Sequence, residues 1–144
     1  MSSTRTMGIA VTDVSTTQQL PLGFEFTEAA DATNNYGDRT WVYIYNDDGS
    51  TAFAAGHIIM RDAATTTYDG LPTTAATLIS TLRLLGVAQH AIAGGSYGFI
   101  LKRGMGEVMA GAGAVIGVDT ALTSAGTTTA GTALDFSAGT TAPG

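Results

Sequence analysis

Thr40-Trp41-Val42-Tyr43-Ile44-Tyr45 is the run on which the reading of this chain turns. β-Branched and aromatic residues occupy both of its faces, Trp41, Tyr43 and Tyr45 on one and Val42 and Ile44 on the other, which is strand composition. Asn46-Asp47-Asp48-Gly49 follows, and Asp-Gly supplies the positive φ values of a hairpin-type turn. The return strand is expected over about Thr51 to Arg61. Upstream, Leu20, Leu22, Phe24 and Phe26 alternate with Pro21, Gly23, Glu25 and Thr27, the period of a half-buried strand. Pro21 confines its start to an edge or a strand entry. Met7, Ile9 and Val11 alternate in the same way, separated from that run by the polar stretch Ser15 to Gln19. Between Glu28 and Asp38 the Asn/Gly chemistry is that of a loop.

Downstream, the spacing of Ala75, Leu78, Ile79 and Leu82 after Pro72 predicts a helix within Leu71 to Leu85, best over Thr73–Leu82. Val87 to Ile92, then Gly94-Gly95, then Tyr97 to Arg103 reads as a hairpin. Glycines 104 and 106 mark another turn. Two short strand-like segments follow, near Asp119 to Thr123 and Thr132 to Phe136, within a tail poor in large apolar residues. The expected fold class is all-β: a small barrel or sandwich of short antiparallel strands, at most one or two short helices, and an extended N-terminal arm. The expected organisation is an arm over 1–19, a β domain over 20–122 and a Thr/Ala/Gly-rich C-terminal segment over 123–144.

Composition narrows the function classes. At 144 residues the chain has the length of one domain with a core of its own. Twelve acids against six bases, net −6, argue against a nucleic-acid binder, which needs a basic footprint. No run approaches the ~20 apolar residues of a membrane span, and Met1 to Arg5 carry no apolar signal-peptide core. Without cysteine there is no disulfide, thiolate ligand or thiol nucleophile. Charged residues are only 12% of the chain, where about a quarter is usual for a free-standing domain. A neutral Thr/Ala/Gly surface suits a protein covered by neighbours.

The motifs that could carry chemistry fall away one by one. Gly94-Gly95-Ser96-Tyr97-Gly98 fits a nucleophile elbow, but that motif needs a helix after the serine and a histidine beyond it. Here a strand follows, and His57 and His90 both precede Ser96. Two histidines do not complete a metal site, so no metal and no cofactor is expected. Asp47 to Ser50 lacks the spacing and distal glutamate of a calcium loop. Gly111 to Gly117 misses the dinucleotide fingerprint by one residue. The scattered carboxylates nominate no glycosidase pair. No enzyme is expected. Trp41, Tyr43 and Tyr45 could form a platform for carbohydrate or a cell-surface ligand, as in a head-fibre or tail component, if they are exposed.

From Leu85 to Val108 the chain carries Gly86-Val87-Ala88, Ile92, Gly94-Gly95, Tyr97-Gly98, Gly104 and Val108, and Asp119 to Gly126 continues the layout. This glycine-punctuated phrase resembles that of tailed-bacteriophage capsid decoration, or cement, proteins. The resemblance implies a non-catalytic virion protein on the outer capsid surface, bound to the phage major capsid protein and stabilising it. It also implies a homo-oligomer, a trimer by family habit, with no part for nucleic acid or membrane. In that setting Met7, Ile9, Val11, Leu20, Leu22 and Phe24 are candidate capsid or subunit contacts, adding to a neighbour as strands. Deleting 1–19 is then expected to weaken attachment and leave a folded barrel.

Overall fold

The computed structural model describes residues 5–6, 8–30, 37–62, 68–72, 84–109, 122–124 and 133–135, and every regular element among them is a strand. In chain order these are β1 (Arg5–Thr6), β2 (Ile9–Ala10), β3 (Glu25–Glu28), β4 (Arg39–Asn46), β5 (Ile58–Arg61), β6 (Asp69–Pro72), β7 (Leu84–Val87), β8 (Tyr97–Arg103), β9 (Leu122–Ser124) and β10 (Ala133–Asp135). The helix expected over Thr73–Leu82 lies outside the described residues. Its flanks, Leu71-Pro72 and Leu84-Leu85, belong to β6 and β7.

Strands β4, β6, β5, β7 and β8 pair in that order, and β8 returns to β4, so the sheet closes into a small five-stranded barrel. Closure removes the free edges that an open sheet of this size would expose. The seam from β4 to β8 is the longest, with Trp41 opposite Leu101, Val42 opposite Ile100, Tyr43 opposite Phe99 and Tyr45 opposite Tyr97. Strand alternation then sorts these pairs. Val42, Ile44 and Ile100 point inward and pack with Phe53, Ile59, Ala88 and Ile92. Ile44, Phe53, Ile59, Ile92 and Ile100 have no exposed surface at all.

The other face of β4 and β8 is not bare. Trp41, Tyr43, Phe99 and Leu101 form a second core with Val11, and Ile9, Leu20, Leu22, Phe24 and Phe26 pack against it. The chain from Ile9 to Phe26 therefore covers the outside of the barrel wall. Backbone bonds fix it there: Ser15 and Tyr97 exchange both N–H···O bonds at 3.1 and 2.8 Å, and Gly23 and Phe24 bond to Tyr43 at 2.8 and 2.9 Å. The Gln19 N–H donates to the Tyr43 hydroxyl at 3.2 Å. Residues 8–19 thus run along the barrel rather than away from it. Fully burying a side chain such as Val11 contributes about 1.5–3 kcal/mol, which a projecting arm would forgo.

Two further expectations meet different outcomes. β9 and β10 pair with one another, Leu134 opposite Thr123, close to where the two short segments were read. The β4–β5 hairpin does not form. β4 pairs in parallel with β6, Tyr45 opposite Asp69, and β5 lies between β6 and β7. After the 47–51 turn the chain crosses the barrel end instead. Phe53 exchanges backbone bonds with Ile92 at 2.9 and 3.1 Å and drops its ring into the interior. One parallel pairing therefore sits among otherwise antiparallel ones.

Candidate functional site

Ser96 is 2% exposed and leads straight into β8. Its carbonyl accepts from the Asn46 N–H at 2.8 Å and its N–H donates to Ala93 at 3.2 Å. The first continues the β4–β8 pairing and the second closes a turn, and the strand that follows gives the serine none of the helix N-terminus that an elbow supplies.

His57 sits where the chain leaves the Phe53 crossing, and its Nδ1 accepts from the Ala54 N–H at 3.2 Å. Burial holds its pKa below the ordinary imidazole value. His90 is shifted the same way by burial, and its Nε2 has no hydrogen-bond partner. Among the described residues no group of three or more His, Asp or Glu side chains is placed to hold a metal ion. The calcium-like stretch is a capped turn. Asp48 Oδ1 accepts from the Ser50 N–H, the Ser50 hydroxyl and the Thr51 N–H at 3.0, 2.9 and 2.9 Å. The Ser50 bonds lead in holding the Asp48 carboxyl below its usual range. Residues 111–117, the dinucleotide-like stretch, lie outside the described residues.

The aromatic strand face and the N-terminal contact candidates turn out to be two halves of one structure. Trp41 and Tyr43 are 3% and 2% exposed, so neither offers a stacking platform. Tyr45 is half-buried, its ring centroid 4.7 Å from that of Tyr97. Trp41 is also fixed from its edge. Its Nε1 donates to Glu28 Oε2 at 3.1 Å, the same oxygen that takes Arg39 at 2.8 Å, with the guanidinium 5.2 Å over the indole ring. Of the six proposed contact residues, Val11 is core and Ile9, Leu20, Leu22 and Phe24 are half-buried over that aromatic wall. Met7 lies outside the described residues.

A different surface stands open, and sequence reasoning passed over it. β7 and β8 pair only at Val87 and Leu101. At Gly86 the backbones are so close that a Cβ would meet the Leu101 carbonyl oxygen at 2.3 Å. Beyond this point the strands diverge, leaving a groove of about 140 Å³ between Leu84–Val87 and the strap Gly104–Val108. The strap is pinned. The Gln89 amide bonds both backbone groups of Glu107, accepting from its N–H at 2.8 Å and donating to its carbonyl at 2.9 Å. Met109 N–H donates to Gly56 at 2.9 Å. Leu84 and Val108 line this groove and are exposed by 59 and 38%, and Met105 within the strap and Met109 just after it are exposed by 64 and 37%. The available signal was local: two methionines and a valine punctuated by glycines in a segment with no strand period. No protein-family model, curated protein or solved structure matches this chain.

Proposed function

We propose that this chain is a non-catalytic structural protein of a virion, a decoration or cement protein on the outer surface of a tailed-phage head. It binds the major capsid protein and acts as a homo-oligomer, a trimer in the reading taken here. The observation that carries the proposal is the glycine-punctuated phrase from Leu85 to Val108, through which the chain resembles such proteins. In the fold that phrase supplies most of β7, all of β8 and the strap, which together line the groove. Its glycines have physical work there: Gly86 lets β7 approach the Leu101 carbonyl, and Gly94 lies so close to the Asp48 carbonyl oxygen that a Cβ would sit 2.3 Å from it. The low charge content supports the same reading, since a surface covered by neighbours has less need of charge for solubility.

The mechanism is adhesion. Several weak contacts, engaged together by one oligomer, give avidity well above that of any single contact. Stabilisation of the head follows by linkage, because a ligand that binds the intact lattice and not its ruptured form shifts the balance toward the intact form. The reading needs no cofactor, nucleic acid or membrane. The experiment compares particles with and without the protein, counting bound copies and measuring rupture temperature. Decorated heads should rupture at the higher temperature. Equal rupture temperatures would remove the cementing role, and a chain that never co-purifies with particles would remove the whole proposal.

A further inference from the structure

We propose that the face around the β7–β8 groove is where copies of this chain meet one another about a rotation axis, Arg103 of each copy pairing with Glu107 of the next. The inference rests on the decoration reading only for its expectation of an oligomer; the surface is chosen by its own chemistry. Of the five exposed large hydrophobics among the described residues, Leu84 and Val108 line this groove, Met105 lies in the strap and Met109 directly follows it, and only Val14 lies in another part of the chain. Grouping of that kind marks an interaction surface, whereas single exposed apolar residues need no explanation.

Charge decides the occupant. The groove is bordered by Lys102, Arg103 and Glu107. Lys102 is engaged by Glu25. Arg103 and Glu107 are both exposed and form no ion pair among the described residues. One unused cation and one unused anion flanking an apolar centre make a self-complementary patch. Brought round a rotation axis, each guanidinium can face a neighbour's carboxylate while the apolar side chains converge. A partner of uniform charge would satisfy only one of the two groups and meet the other with like charge, whereas a second copy offers both signs. A small molecule is a poor fit as well, since about 140 Å³ is well short of the ~300–1,000 Å³ of ordinary ligand pockets.

The patch is also built in advance. The Gln89 clamp and the Met109–Gly56 bond hold the strap. Gly104 turns with a φ of 112° close enough to Asp38 that a Cβ would lie 2.7 Å from its carbonyl oxygen. A preformed wall loses little entropy on association, and flexible methionines fit themselves to the opposing surface.

Sedimentation of the free chain at micromolar concentration tests this, with circular dichroism and melting temperature confirming that each variant folds. The parent should be oligomeric. Arg103→Glu should raise the dissociation constant at least ~10-fold by opposing two carboxylates, and adding Glu107→Arg should restore the parent's value within about threefold. Met105→Asp, at a side chain 64% exposed in the single chain, should dissociate the oligomer without lowering the monomer's melting temperature. A monomeric parent, an assembly indifferent to Arg103→Glu, or a folded double variant that fails to reassemble would each overturn the proposal. Particle binding is scored separately. A chain that assembles through this face but ignores particles retires the decoration reading alone, and one that binds particles as a monomer retires this inference and the oligomer clause of that reading while keeping its capsid binding.

Discussion

Asn46 ends β4 with its side chain wholly buried, and its amide makes three hydrogen bonds at the barrel mouth. Its amide nitrogen donates to the carbonyls of Thr51 and Ile92 at 3.0 Å each, and its Oδ1 accepts from the Asp48 N–H at 3.1 Å. One side chain thereby ties the turn, the Phe53 crossing and the loop before β8 together. Asn46→Ala should cost about 3 kcal/mol, since it leaves the Thr51 carbonyl and the Asp48 N–H without these partners and opens a small void. Denaturant melts of the two proteins measure it, and a change below about 1 kcal/mol would mean that water takes over the bonds. Asn46→Asp should be worse still near neutral pH, because it turns a carboxylate oxygen toward two carbonyls. Residue identity alone read this position as the first member of a turn. Its backbone instead closes β4, and the reading was blind to the side chain, whose partner at Ile92 is far away in sequence.

Where the elements join, burial has set three titratable groups off their ordinary values. His57 and His90 are lowered, so their protonation is harder in the folded chain than in the unfolded one. Stability is therefore intact above the unfolded histidine pKa of about 6.5 and is lost as pH falls from there through the folded values. Asp47, at the end of β4, runs the other way: burial first, then its bond to Asp62 and the charges of Asp69, Asp62 and Asp48, raise its pKa. Its penalty is complete at neutral pH and is relieved as pH drops through the raised value toward 3.8. The melting temperature should fall between pH 7.5 and 5.5, and replacing both histidines by glutamine should flatten that slope. Asp47→Asn should be more stable than the parent at pH 7, with the difference closing in strong acid. A parent profile flat over that range would mean the histidines are solvated. Strand type was legible at this scale because Trp41 to Tyr45 and Tyr97 to Leu101 are apolar on both faces. Pairing was not. A two-residue turn beside a strong strand favours a hairpin locally, and the β4–β6 parallel contact that displaces it is made by residues more than twenty positions apart.

For the whole molecule, the sequence presented two apolar surfaces, the N-terminal run and the Trp41/Tyr43 face, each readable as core or as a contact with a partner, and the fold uses each to cover the other. Neither alternation pattern carries information about what lies opposite it, so core burial and an external partner both stayed open for each. The consequence is a sharp expectation for the chain without residues 1–19. It loses Val11 from the outer core, Ile9 from the layer above it, the Ser15–Tyr97 bridge and the Gln19 bond to Tyr43. Val11 alone is worth about 2 kcal/mol, and the set about 4 kcal/mol or more, against a total of roughly 5–15 kcal/mol for a domain. The truncated chain should melt far below the parent or fail to fold, and Val11→Ala should fall between them. Trp41 is the chain's only tryptophan and is 3% exposed, so its emission reports directly on this cover and should shift to the red as water reaches the ring. Emission and melting temperature unchanged from the parent would show that the aromatic wall needs no cover, and would restore residues 1–19 to the role of a separable arm. If the shift does appear, weakened particle attachment by the truncated chain speaks about barrel integrity. Contacts with a capsid must then be probed by single substitutions at positions such as Leu22 and Phe24, which keep part of their surface outside the cover.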